Sequence, residues 1–311
     1  MSRENANKIQ SALVIGGSGF LGSHIADSLT NSGYNVTIFD KSESPYMKDS
    51  QHMIVGDILE IDQVCSAVKD VDIVYHFAGI AGILEANANP LKTVHCNVIG
   101  TTNVLEACVK AKITRIIFAS TVYVYSDHGG FYRSTKQAAE LLIENYHKYF
   151  DLDFTILRFG SLYGRRGNEF NFIHNIITQA LVEGKMVRSG NGDEIREYIH
   201  VEDAAKACVD ILNKDFKNEY VILTGSQSIK VKDLLKMIGE MFNNQVAIEF
   251  NDHKEQDHYE ITPFTFRPRI AKKYYPTTQI DLGQGILDTI YDIYKKNSDL
   301  EDMHQVISLP D

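Results

Sequence analysis

The chain has 311 residues, 44% of them hydrophobic and 23% charged, which is enough to bury a real core in one large domain or two modest ones. Its net charge of −10 excludes nonspecific nucleic-acid binding, because phosphate backbones recruit basic surfaces; any anionic ligand must be met by local Arg, Lys or backbone amides. No stretch approaches the ~20 apolar residues that span a bilayer, and the apolar run near the N-terminus is too short for a signal peptide, so a cytoplasmic protein without membrane association is expected.

In chain order, ALVIG (12–16) reads as the first strand and runs into GGSGFLGSH, a glycine turn that opens a helix near 20–32. NVTIFD (35–40), HMIVGD (52–57), VDIVYHFAG (71–79), TRIIFAS (114–120) and FTILRFG (154–160) read as further strands. Helical patterns near 60–69, 91–111 and 131–149 lie between them. Strands that are apolar throughout, rather than alternating, belong to a sheet covered on both faces. The alternation of strand and helix predicts a Rossmann-like, doubly wound parallel sheet of the α/β class.

After Gly164 the pattern changes. A polar stretch in which Arg165 and Arg166 read as a solvated loop leads to a helix near 171–183 and the turn GNG (190–192). EYIHVEDAAKACVDIL (197–212) and NEYVILTG (218–225) read as a return to the sheet. The tail mixes helices with loops marked by Pro263, Pro268 and Pro276. The expected division is a sheet domain of 1–163 with 196–226, and a smaller mixed α/β C-terminal domain of 164–195 with 227–311. Cys65, Cys96, Cys108 and Cys208 show neither CxxC pairing nor metal spacing; reduced core thiols and no metal are expected.

The glycine turn contains Gly16, Gly19 and Gly22. One glycine permits the tight strand-to-helix turn, one lets the backbone approach a pyrophosphate, and one lets helix and strand pack closely. Gly19, Phe20 and Leu21 open a helix whose unpaired N–H groups suit phosphates. Asp40, ending the second strand, is positioned to accept hydrogen bonds from an adenosine ribose and to repel a 2′-phosphate. Dinucleotide binding follows, NAD rather than NADP, with the neighbouring Lys41 as the counter-indication. Asp57 and Ile58, after the third strand, read either as flanking the adenine or as an ordinary turn.

FYRSTK (131–136) puts Tyr132 and Lys136 on one helical face, but YDIYK (291–295) repeats the spacing with Tyr291 and Lys295. Position decides between them. Loops beyond the carboxyl ends of parallel strands line the ligand crevice, and Thr121 and Tyr132 both follow the TRIIFAS strand. The YDIYK copy reads as an exposed helical pair. In the first copy Tyr132 is the base that takes a hydroxyl proton, and Lys136 with a positive nicotinamide lowers a phenol pKa that is otherwise near ~10.

This set resembles the extended short-chain dehydrogenase/reductase family, in particular its nucleotide-sugar epimerases and dehydratases. The landmarks are IGGSGFLGSH, Asp40, GDIL, HFAG, NVIGTTNVLEAC, FASTVYVYS, YRSTK, LRFGSLYG and REYIHVEDAA, and they cover nearly the whole chain. The resemblance implies that Lys136 binds the nicotinamide ribose, that Thr121 hydrogen-bonds the reacting oxygen, and that Ala78 lies against the cofactor. It implies that Asn97 organises the site, a role that helix packing explains equally well. It also implies a nucleoside diphosphate held by Arg196 and Arg267, with Asn171 as a further contact or a helix N-cap, and a homodimer built on helices 91–111 and 131–149. Leu141, Leu142 and Ile143 form the candidate apolar patch there, which core packing explains as well.

Three departures refine the expectation. Family dehydratases follow their Thr with Asp-Glu, whereas Val122 and Tyr123 stand here, so elimination lacks its proton shuttle. Ser161 replaces the usual Asn, and the Tyr125–Tyr132 connection is very short. The reading is NAD-dependent oxidation of a nucleotide sugar at C4. The short connection tilts it toward a 4-dehydrogenase that releases the ketone, with a 4-epimerase as the alternative. The FRP segment resembles one in GDP-mannose dehydratases, and LRFGSLYG resembles enzymes of bacterial surface-polysaccharide synthesis, implying a GDP-linked sugar such as a capsule heptose. A non-catalytic NAD-binding regulator is disfavoured by the intact Thr121, Tyr132 and Lys136.

Overall fold

A computed structural model of the chain describes residues 10–251, 258–263 and 271–297. Strand β1 (Ser11–Ile15) runs into α1 (Phe20–Asn31), followed by β2 (Asn35–Asp40), β3 (His52–Val55), α2 (Ile61–Ala67) and β4 (Ile73–His76). Helices α3 (Ile83–Ala88) and α4 (Pro90–Val94) pass through a π-helical turn (His95–Ile99) into α5 (Gly100–Ala111). Next come β5 (Arg115–Thr121), a 3-10 turn (Val122–Tyr125), α6 (Gly130–Phe150) and β6 (Asp153–Phe159). The chain continues through β7 (Ser161–Tyr163), α7 (Phe172–Glu183), β8 (Lys185–Ser189), β9 (Ile195–His200), α8 (Val201–Asp210) and β10 (Glu219–Leu223). It ends with β11 (Ser228–Lys230), α9 (Val231–Met241), β12 (Ala247–Asn251), β13 (Lys272–Lys273) and α10 (Leu282–Asn297).

Among the described residues the main sheet has eight strands in the order β13-β10-β6-β5-β4-β1-β2-β3. Every neighbouring pair is parallel. Alternate residues of β1 serve opposite faces. Ala12 and Val14 join Ile25 and Leu29 of α1 and Ala204 and Cys208 of α8, while Leu13 and Ile15 join Val104 and Leu105 of α5 and Ala139 and Ile143 of α6. Both faces being dry, alternation has no purpose, which is why these strands are apolar throughout. A third apolar cluster unites α7, α9 and α10 around Ile177, Leu235, Ile238 and Ile286.

Several elements differ from the sequence expectation. The 71–79 segment leaves the sheet after His76, and the helix expected over 91–111 begins at Pro90 and contains the π-helical turn. Glu197–His200 does not rejoin the main sheet. The edge of β6 is already occupied by β10, so β9 becomes the middle of a small β11-β9-β7 sheet, parallel to β7 and antiparallel to β11. Conversely β13, late in the chain, adds the eighth main-sheet strand beyond β10. Leu141 is exposed as the apolar patch requires, but Ile143 is buried and Leu142 packs on the core, because they face the sheet. All four cysteines are free, with Cys108 and Cys208 buried. Among the described residues no helix is long and apolar enough to cross a membrane, and no His/Cys/Asp/Glu group has metal-binding geometry.

The strand-to-helix turn depends on Gly16, whose φ is +86° and where an added Cβ would lie 2.5 Å from the Ala78 nitrogen. A Cβ at Gly22 would collide with the Gly16 carbonyl oxygen. Gly16→Ala is expected to destabilise the fold by at least the ~1–3 kcal/mol of a strained residue. Chemical denaturation reads this; an unchanged midpoint would show that the turn relaxes at no cost.

Candidate active site

The glycine turn, the ends of β4 and β5, and α6 meet at the carboxyl edge of the main sheet. Helix α1 begins at Gly19 with no side-chain cap and no acidic residue in its first turn, which leaves its N-terminal dipole for an external anion. The Asp40 carboxylate accepts the Ser18 N–H at 3.0 Å and the Lys41 N–H at 2.7 Å, so it sits against the glycine turn. Lys41, the residue that argued for NADP, reaches the other way, its Nζ 3.0 Å from Asp57 Oδ2. Asp57 also caps the Leu59 N–H. Burial pushes the Asp57 carboxyl up, but these bonds and the Lys41 charge outweigh it and hold it below its ordinary value. Ile58 is buried against Gly100, Phe20 opens α1 with its ring edge-on to His24, and Leu21 packs on the core.

Thr121 ends β5, and the first turn of α6 brings Tyr132 to the same cavity wall, with the Thr121 side chain close enough to act on the phenol. Burial pushes the Tyr132 phenol up to about 12, a rise that the nearby Thr121 only partly offsets. Its ring retains some surface toward the cavity, but dense protein around the hydroxyl removes most of the water that a phenolate needs. Lys136, one turn further, is buried. Its ammonium donates to the Ala119 carbonyl at 2.8 Å and lies 4.8 Å above the Phe118 ring. Desolvation lowers the Lys136 pKa to about 8, with Cys96 and Glu140 acting to raise it. At neutral pH the phenol is therefore protonated and the amine charged, a pair waiting for another positive charge. The second copy of the spacing is different: Tyr291 is exposed on α10, with the Lys295 ammonium over its own ring at 4.4 Å.

Asn97 is buried in the π-helical turn. Its Oδ1 accepts the Ile80 N–H at 2.7 Å, and its Nδ2 donates to the Ile80 carbonyl at 2.9 Å and to Thr135 Oγ1 at 3.1 Å. It thus ties the loop after β4, which carries Ala78, to the helix that carries Tyr132 and Lys136. A π turn places one extra residue per turn, a device frequent at functional sites, and here it turns Asn97 inward.

A cavity of about 600 Å³ opens beside Tyr132 and Thr121 and extends to Asn171, Arg188 and Arg196. Arg196 is buried, donates to the Ile195 carbonyl at 3.1 Å, and stacks 4.2 Å from the Tyr259 ring. No carboxylate of the described residues pairs with it, so a buried cation is left for an anionic ligand. Asn171 lines the cavity with both ends of its amide engaged, capping α7 through the His174 N–H at 3.1 Å and donating to the Leu162 carbonyl at 2.7 Å. Arg267 lies outside the described residues.

The sequence reading missed one wall. Tyr123 donates to or accepts from His258 Nδ1 at 2.7 Å, packs 4.6 Å from Tyr259, and stands edge-on to Tyr132 at 6.3 Å. His258 and Tyr259 arrive more than a hundred residues later, in a segment docked by the Ile195–Ile261 bridge, and nothing local in the sequence announces them. A second cavity of about 630 Å³ lies between α1, α8 and α10, where Arg165 pairs with Glu202, Arg166 and Lys48 with Asp27, and Lys296 with Asp292. Arg166 is thus a half-buried, ion-paired strut, while Arg165 is paired with Glu202 yet exposed, as a solvated loop would have it.

Residues 12–222 match the NAD dependent epimerase/dehydratase family, over most of the chain. The chain belongs to this family. The family assignment makes it an enzyme of the extended short-chain dehydrogenase/reductase type, with NAD as the cofactor. It is 29% identical over 296 residues to a putative UDP-glucose 4-epimerase of Methanocaldococcus jannaschii, covering 88% of this chain and 95% of that relative. It is 26% identical to UDP-glucuronic acid decarboxylase 1 of Xenopus tropicalis, covering 96% of this chain and 75% of the relative. Among solved structures, the UDP-glucuronic acid 4-epimerase of Bacillus cereus in complex with UDP-glucuronic acid and NAD superimposes with a TM-score of 0.81 at 25% identity, covering 92% of this chain and 100% of that one. The uncapped α1 N-terminus, the bare Gly16–Gly22 turn and the Asp40 carboxylate fit a dinucleotide.

The phenol of this NAD enzyme should respond to its cofactor. Difference absorbance against Tyr132→Phe is expected to show Tyr132 ionising near pH 12 without NAD and at distinctly lower pH with it, because the pyridinium adds the missing positive charge. An unmoved midpoint would separate Tyr132 from the nicotinamide.

Proposed function

We propose that the enzyme oxidises a nucleoside-diphosphate sugar at C4 and releases the 4-ketone. The observation that carries this reading is one cavity containing both Thr121 and Tyr132, backed by Lys136, and a buried Arg196 with no carboxylate partner among the described residues. Arg196 anchors the diphosphate, and Arg forks suit phosphate oxygens. The hydroxyl to be oxidised lies between Thr121 and Tyr132. Tyr132 takes its proton, Thr121 donates a hydrogen bond to the oxygen as the carbonyl forms, and Lys136 holds the phenolate. NAD, when bound, accepts the hydride from C4. Asp40 and Lys136 hold the two riboses.

Support for C4 comes from relatives whose names carry 4-epimerase. Elimination is disfavoured because Val122 is buried and Tyr123 is tied to His258, so neither residue after Thr121 offers a carboxylate. Release of the ketone is favoured by the cavity's open mouth, where Leu84 and Phe170 are 76% and 69% exposed although they line it. A 4-epimerase is the second reading, favoured by the 29% identical relative bearing that name. The nucleotide carrier is UDP or GDP; the FRP segment that favours GDP lies outside the described residues. The enzyme is a homodimer through the exposed Leu91, Val94, Ile99 and Leu141 on the neighbouring α4, π turn and α6.

Holoenzyme mixed with UDP- and GDP-sugars should produce NADH absorbance and a 4-keto sugar by mass spectrometry. A C4-inverted alcohol without net NADH would establish the epimerase instead. Tyr132→Phe is expected to fold, bind NAD and lose at least ~100-fold in turnover, the usual scale of general-base catalysis. Arg196→Ala should raise KM about tenfold or more, as expected for a charged hydrogen bond worth ~1.5–3 kcal/mol. Light scattering should give twice the chain mass, falling to one chain in Leu91→Glu/Leu141→Glu.

A further inference from the structure

Behind the Tyr132–Lys136 pair lies a polar cluster that the proposed chemistry does not use. Glu140 stands one helical turn beyond Lys136 on the same face of α6 and is buried. Its Oε1 accepts the Ser120 hydroxyl at 2.5 Å and the Arg158 Nε–H at 3.0 Å, and its Oε2 accepts the Arg158 Nη2 at 2.6 Å. Arg158 extends from β6, donates to the Tyr125 hydroxyl, and is sandwiched between the rings of Tyr125 and Tyr220 at 4.7 and 4.5 Å. Tyr220 in turn bonds Glu144, one turn further along α6.

Two consequences follow from where this cluster is attached. Ser120 lies between Ala119, whose carbonyl receives the Lys136 ammonium, and Thr121, which lines the cavity beside Tyr132. The carboxylate of Glu140 therefore fastens α6 to the three-residue stretch of β5 that carries both partners of the catalytic pair. A buried ion pair contributes little net stability, because desolvation offsets its attraction. Its retention at this point argues for what its charge does nearby.

We propose that Glu140 is a positioning residue of the active site, holding Lys136 both in register with Ala119 and in its charged form. The reasoning begins with the other groups that face Lys136. His76 on β4 is buried and pushed down to about 3, so it is neutral; it bonds Thr101 and contributes no anion. Cys96 in the π turn is a thiol pushed up by burial, so it too is uncharged at neutral pH. On β5 the ammonium meets a carbonyl and the Phe118 ring, and on α6 a protonated Tyr132. Among the described groups Glu140 is left as the standing negative charge, and Arg158, the cation on β6, lies beyond it. Burial drives Lys136 toward the neutral amine, and Glu140 opposes that drive.

The inference rests on the reading of Lys136 as the cation behind Tyr132, but its test does not require a substrate. Heteronuclear NMR of the lysine ammonium groups, with Lys136 assigned through Lys136→Arg, follows its titration in the full chain. In Glu140→Gln the midpoint is expected to fall by about one pH unit or more, because removing an anion and exposing Arg158 act in the same direction. The double variant Glu140→Gln/Arg158→Met, which removes both charges, should regain thermal stability yet keep a lowered Lys136 midpoint. An unchanged midpoint in both variants, with stability alone affected, would reduce Glu140 to a structural ion pair and overturn the proposal. If Glu140→Gln fails to fold, the double variant alone decides: a wild-type midpoint refutes, a lowered one supports. Once a nucleotide sugar is identified, the alkaline limb of the oxidation profile should move down with the same variants; a protein that oxidises no sugar would refute the proposed function and leave the NMR result standing.

Discussion

The site turns on a buried ammonium group. Lys136 loses most of its water, and the structure around it supplies one carbonyl, one aromatic face and one distant carboxylate in exchange. A buried cation is costly unless something nearby makes use of it. Here that cost is placed one helical turn from a phenol that needs a positive neighbour to ionise. The strands on either side, the π turn and the β5–α6 packing all serve to keep those two groups one turn apart and facing the crevice. In energetic terms the sheet is a scaffold for a single unfavourable charge.

The electrostatics also account for a division of labour. In the ligand-free protein burial disfavours the phenol as an anion, and on the proposed mechanism proton abstraction would wait for the positive charge that the cofactor brings. Arg196 at the other end of the cavity carries the complementary deficit, a cation stacked on Tyr259 that among the described residues bonds carbonyls and no carboxylate. On the proposed function, cofactor and substrate would each relieve an imbalance that folding left in place, as suits two anionic ligands within an acidic chain.

What the sequence revealed and what it hid divide along physical lines. The glycine turn, Asp40, Thr121 and the Tyr132–Lys136 spacing are legible because each acts within one strand-to-helix unit, where local geometry follows from residue type. The parallel sheet is legible because both of its faces are covered, which suppresses alternation. The Tyr123–His258 contact and the Arg196–Tyr259 stack are not legible, because they join segments far apart in sequence. The placement of β9 escaped for a related reason: its apolar pattern fits any sheet, and only the occupied edge of β6 decides which one it joins. For Leu141, Leu142 and Ile143 a surface patch and core packing were equally open, and the helix divides them: at about 100° of rotation per residue three consecutive residues cannot share one face, so Leu141 is exposed while Ile143 is buried.

The outer strand β13 has a consequence for the life of the protein in a crowded solution. A sheet of parallel strands would otherwise end in a bare row of hydrogen-bonding groups along β10, an invitation to pair with a neighbour. Among the described residues that border is closed by two, both lysines, one reaching Glu219 and the other Glu197. So short and so charged a margin gives an incoming strand almost nothing to zip against. The two lysines thereby guard the β10 border against fibrous self-association.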